Sequence, residues 1–68
     1  MDGKSLQQLR EDSGYSTRDL ARGTGIPRST YERRELNPGA LTLSELRAIA
    51  EFYGIPFREF AAALESAA

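Results

Sequence analysis

The sequence predicts an all-α fold of five short helices, and three observations lead there. Ser5 with Gln8, Ser16 with Asp19 and Thr42 with Glu45 each place a hydroxyl three residues ahead of a Gln, Asp or Glu. At that spacing a cap side chain and a third-residue side chain can satisfy each other's orphan amides. Apolar residues recur with the helical period, as in Leu43, Leu46, Ile49, Ala50 and Tyr53. No window of four or more residues alternates apolar and polar with β-branched support, so nothing reads as a strand.

Each element follows from its own start and stop. The first helix, roughly residues 5–13, opens at Ser5, carries Leu6 and Leu9 inward and stops at Gly14. The second, roughly 16–24, is capped by Ser16, and Tyr15 before the cap is placed to pack on Leu20 as a hydrophobic staple. The third, roughly 27–35, follows Gly25-Ile26 and begins at Pro27, whose fixed φ and missing amide suit a first turn. Asn37-Pro38-Gly39 ends it as a turn. The fourth, roughly 42–53, starts at Thr42 with Leu41 and Leu46 as a second staple. The fifth, roughly 56–66, restarts after Gly54-Ile55 at Pro56 and carries Phe57, Phe60, Ala61 and Leu64 along one stripe. The repeated Gly-Ile-Pro is one end-and-restart device used twice, and the Ala-rich end from Ala61 to Ala68 is expected to fray at its last turn.

The 68 residues describe one small domain, 1–68, near the lower limit for folding without a staple. With no Cys and no His, disulfides, thiol chemistry and the usual zinc clusters are excluded, and the scattered acidic residues show no calcium-loop spacing. No metal and no cofactor is expected. The missing His also removes the commonest general base, the Ser residues lack a partner, and Gly23-Thr24-Gly25 lacks the spacing of a phosphate loop. An enzyme is not expected. No apolar run approaches the length of a membrane span and Met1–Lys4 lacks a signal-peptide stretch, so the expected location is the cytoplasm.

Net charge is -1, but its distribution is uneven. Between Ser16 and Arg34 five Arg face Asp19 and Glu32, a local +3, whereas two Arg face five Glu from Glu35 to Ala68, a local -3. A basic face is hidden inside an acidic average, which is the electrostatic footprint of an anionic partner. At about 100° per residue Arg28, Ser29, Glu32 and Arg33 share one arc of the third helix while Tyr31 lies opposite. Two guanidinium groups, a hydroxyl and a carboxylate opposite an aromatic anchor suit a helix lying in a DNA major groove. Arg28 or Arg33 can bond a guanine edge, Ser29 can donate or accept, and Glu32 can accept from a cytosine amine. Glu32 also stands four residues from Arg28 and can instead pair with it. The start of the second helix presents free amides beside Ser16, Thr17 and Arg18 for a DNA phosphate, with Arg22, Arg34 and Asn37 as further candidates.

A second and third helix joined by a short glycine turn form a helix-turn-helix. Here Tyr15-Ser16-Thr17-Arg18-Asp19-Leu20-Ala21 followed by Gly25-Ile26-Pro27-Arg28-Ser29-Thr30-Tyr31 resembles the Cro-like and lambda-repressor-like helix-turn-helix proteins, the xenobiotic-response-element family. The resemblance covers about residues 5–66. It implies close helix contact at Ala21, a turn at Gly25, and burial of Leu20, Ile26 and Tyr31. It implies that Arg28, Ser29, Glu32 and Arg33 are the base-reading positions, and that Arg10 pairs with Glu35 to fix the third helix against the first. Three positions depart from the pattern: Thr17 where the family usually has Gln, Arg34 where an apolar residue faces the core, and Leu36 where Asn is common.

The function expected from this resemblance is a sequence-specific transcriptional regulator of phage Cro or repressor type, bound to a pseudo-palindromic double-stranded operator. A weak homodimer, assembled on DNA, would use Phe57, Phe60 and Leu64 of the last helix or the loop from Leu36 to Leu41, although in a chain this small most of those last-helix residues are expected to close the monomer core instead. The alternative is a helix-turn-helix module that binds a protein partner of antitoxin or anti-repressor type, which the acidic average favours.

Overall fold

A computed structural model describes residues 5–67, so Met1–Lys4 and Ala68 lie outside the described residues, as do the signal-peptide expectation and the end of the Ala-rich segment. The helices are α1 (Leu6–Ser13), α2 (Thr17–Thr24), α3 (Arg28–Leu36), α4 (Leu43–Tyr53) and α5 (Phe57–Ala67), with a single 3-10 turn at Pro38–Ala40. No strand occurs among the described residues. The all-α, five-helix expectation holds, and no described helix is long and apolar enough to cross a membrane.

Local chemistry sets most boundaries. Both reciprocal caps form at α2 and α4: Asp19 N donates to Ser16 Oγ while Ser16 N donates to the Asp19 carboxylate, and Thr42 with Glu45 repeats the pattern. At α1 only the forward half is present, with Gln8 N donating to Ser5 Oγ at 3.1 Å. Pro27 precedes α3 as its cap residue, so the helix starts one residue later than the sequence predicts, and the Pro27 carbonyl accepts from Tyr31 N at 2.9 Å.

The caps carry a pH dependence. Hydrogen bonds from the Thr42 amide and from Arg34 hold the Glu45 carboxyl below its ordinary 4.5, and the Ser16 amide does the same for Asp19. Groups with depressed folded pKa values contribute stability that is present above the unfolded pKa and lost as pH falls through the folded one. Thermal melts should therefore be flat from pH 7 to 5 and fall progressively below about pH 4.5; a melting temperature that rises on acidification contradicts the cap assignment.

The core gathers Leu6 and Leu9 of α1, Leu20 of α2, Ile26 of the turn, Tyr31 of α3, Ile49 and Ala50 of α4 and Phe60 of α5. Tyr31 is 0% exposed, so the back of α3 is fixed to the body of the domain. Leu43, expected in the inward stripe of α4, is 57% exposed because it is the first helical residue and lies beyond the core's edge.

Gly23 sits inside α2 for a packing reason. A Cβ there would collide with the Phe52 ring of α4, and that ring is held on two sides, by Tyr15 at 4.9 Å and Tyr53 at 5.1 Å between centroids. An Ala for Gly change in an exposed helix gains about 1 kcal/mol, but here overpacking should reverse the sign. Gly23→Ala is expected to destabilise by about 1–3 kcal/mol in denaturant melts; a gain in stability would show that α2 and α4 separate freely.

Candidate nucleic-acid interface

The turn between α2 and α3 is built from a left-handed glycine and a hydroxyl. Gly25 has φ +80°, a conformation that costs L side chains about 1–2 kcal/mol. The Thr24 hydroxyl donates to the Leu20 carbonyl and accepts from Ile26 N at 3.3 Å, linking the end of α2 to the turn. Ile26, 7% exposed, then anchors the chain before α3 begins. Sequence reasoning passed over Thr24, although a hydroxyl just before a glycine stop is a visible signal.

From this anchored back, α3 turns Arg28, Ser29, Glu32 and Arg33 to solvent, all four exposed. Arg33 Nη2 lies 3.3 Å from the Thr30 hydroxyl. Glu32 Oε2 accepts from the Thr17 hydroxyl at 2.9 Å and from Arg28 Nε at 3.1 Å. The Thr17 bond, with Arg28 in support, holds the Glu32 carboxyl below its ordinary value. Ser16 and Arg18 are exposed at the start of α2, Thr17 is half-buried beside them, and Arg22 and Asn37 are exposed. Ser16 already serves as the α2 cap.

Arg34 is placed differently from the other cations. Its Nε donates to Glu45 Oε1 at 3.0 Å, the oxygen that also accepts from Thr42 N, and its side chain is 23% exposed. Where an apolar residue was expected to face the core, a half-buried ion pair ties the end of α3 to the start of α4. Only the Nε edge of this guanidinium is engaged by Glu45.

Arg10 and Glu35 make a two-pronged pair. Arg10 Nε donates to Glu35 Oε2 at 2.7 Å and Nη2 to Oε1 at 3.2 Å, while Nη1 reaches the Tyr15 carbonyl at 3.1 Å. One side chain thereby joins α1, α3 and the segment leading into α2. The Glu35 bond raises the pKa of Arg10. Burial, with the Glu35 charge added, pushes the Tyr53 phenol up to about 12 and raises that of Tyr31 as well, so both phenols stay neutral at ordinary pH.

Of the two expected dimer faces, the one on α5 needs correction at Phe60. Phe60 is 0% exposed and belongs to the core, and Leu64 packs against the same core. Phe57 is half-buried under the Arg47 guanidinium, 4.7 Å from the ring centroid. At the other expected face Leu36 is 85% exposed, and Leu43, on the far side of the 3-10 turn, is exposed as well.

Comparison with known proteins agrees with this geometry. Residues 6–60 match a family model described as helix-turn-helix. The chain is 34% identical over 56 residues to a "Putative HTH-type transcriptional regulatory protein" of Pyrococcus furiosus and 36% identical over 56 residues to one of the same name from Pyrococcus horikoshii. Each alignment covers 82% of this chain, and the chain spans 18% of the length of either relative. No solved structure matches with significance.

Proposed function

The chain belongs to the helix-turn-helix family of DNA-binding, transcriptional-regulator-like domains, and from that premise we propose that it is a sequence-specific regulator that reads an operator major groove with α3. One observation carries this reading: Arg28, Ser29 and Arg33 are exposed on a helix whose opposite side is pinned by Tyr31 at 0% exposure. Guanidinium groups on such a rod match guanine O6 and N7, and Ser29 adds a donor or acceptor. Phosphates would be held at the α2 start by the first amides of that helix and by Arg18, with Arg22 and Asn37 flanking and the Thr17 hydroxyl engaged with Glu32.

The regulator is of Cro or repressor type, occupies its operator so as to exclude polymerase, works in the cytoplasm at the nucleoid or on phage DNA, and carries out no catalysis. One α3 reads only a few base pairs, so two copies bind a pseudo-palindrome with half-sites about 34–36 Å apart. Their contact is weak and lies near Leu36 and Leu43 rather than at Phe60. Those two exposed leucines also favour a second reading, a protein partner docked beside α3.

Selection from random duplexes, followed by a salt titration of the enriched site, separates the two. With about four to six phosphates neutralised, affinity should fall about 10²–10³-fold between roughly 50 and 200 mM salt. No enriched duplex, or a flat salt response, favours the protein partner.

A further inference from the structure

The outward-facing polar side chains on the two sides of the turn are tied to one another. Thr17 donates to Glu32 Oε2 at 2.9 Å, and Arg28 Nε lies 3.1 Å from that oxygen and 3.2 Å from Thr17 Oγ1. Arg28 is thus held by one edge of its guanidinium. Its Nη1 and Nη2 bond no described residue, and those two donors form the fork that matches a guanine edge. Resting on the reading of α3 as the DNA-reading helix, we infer that Glu32 is a positioning residue: with Thr17 it fixes Arg28 by Nε and presents the free Nη1–Nη2 edge to a guanine, reading no base itself.

Three features of the site support this role. The clasp spans two helices, so it orients Arg28 relative to the α2 start where a phosphate would sit, and a pair within α3 alone cannot do that. A long side chain already held loses less rotamer freedom on docking than a free one. A carboxylate beside DNA phosphates is otherwise repelled, whereas one engaged by Arg28 and Thr17 has its charge offset before the duplex arrives. Burial does not hold the clasp together, since Arg28 and Glu32 side chains are 51% and 46% exposed, so its loss should leave the fold intact.

The test uses the full 68-residue chain in two arms. In the free protein, solvent exchange of the Arg28 Nε proton is followed by nitrogen-15 NMR, with exposed Arg18 as the internal standard; it should be slower than in Arg18 and speed up in Glu32→Ala and Thr17→Ala. In duplex selection, Arg28→Ala should relax the preference at one base pair by about 5- to 150-fold, and Glu32→Ala should relax that same base pair by about threefold or more. Glu32→Gln, which keeps an acceptor, should recover part of the loss, and melting temperatures should be unchanged. Relaxation by Glu32→Ala at a base pair that Arg28→Ala leaves intact means that Glu32 reads a base directly and overturns the inference. So does unaltered selection in Glu32→Ala, or an Arg28 proton that exchanges as fast as that of Arg18. If the wild-type chain enriches no duplex, the DNA reading itself falls, and an Arg28 proton that is still protected then marks a surface clasp without a positioning role.

Discussion

Glu35→Ala should lower the melting temperature by about 12–24 °C, following from a loss of about 3 kcal/mol at about 4–8 °C per kcal/mol for a domain of this size. The Glu35 side chain is 7% exposed and takes two bonds from Arg10, which is itself 14% exposed. Truncating the carboxylate strands a guanidinium that the fold has already drawn from water. The lower end of the usual range for a broken buried pair applies because Arg10 retains contact with solvent and with the Tyr15 carbonyl. Replacing both partners, as Arg10→Met with Glu35→Leu, should recover much of the loss, since no charge is then left without a partner. Circular-dichroism melts of the single and double variants check this, and an unchanged single variant would refute the clamp between α1 and α3.

Arg28→Ala and Arg33→Ala are expected to act on binding and not on folding. Each should cost about 1–3 kcal/mol of base discrimination, or about 5- to 150-fold, at its own base pair. Both side chains project from the exposed face of α3, and the pair that Arg28 makes with Glu32 is half in water, so melting should move little. Arg18→Ala provides the contrast. A phosphate contact weakens all duplexes alike and lowers the salt slope by about one, without shifting the preferred sequence. Should Arg28→Ala and Arg33→Ala instead weaken every duplex uniformly, the two guanidinium groups would be phosphate contacts.

The parts of this structure that were legible in the sequence are those decided within four or five residues. Ser16 with Asp19 and Thr42 with Glu45 close as reciprocal caps because both partners lie in one turn of chain. Gly25 ends α2 because only the backbone at that residue has to change hand. Tyr31 was placed opposite Arg28 and Arg33 by helical geometry alone, and it is buried while they are exposed.

What was not legible depended on which helices meet. Periodicity gives a helix an apolar side but does not say whether that side faces the core or another molecule, so Phe60 stood between a dimer contact and a core residue until packing placed it in the core. Arg34 was an anomaly until Glu45 was seen 3.0 Å away, across a 3-10 turn whose path the local sequence does not determine. The clasp of Thr17, Arg28 and Glu32 likewise needs the crossing of α2 and α3, which no single helix encodes. Gly23 did carry a signal, since a glycine in a helix interior costs about 1 kcal/mol and so marks a close approach. The partner of that approach, Phe52, is known only from the packing.

The most direct measurement is a map of backbone amide and arginine side-chain NMR shifts as the full chain is titrated with its selected duplex. The changes should be largest at Arg28, Ser29 and Arg33, continue to the α2 start at Thr17 and Arg18, and leave α5 around Phe60 quiet. Changes centred on α4 and α5 with α3 unmoved would contradict the claim that the outward side of α3 meets the groove.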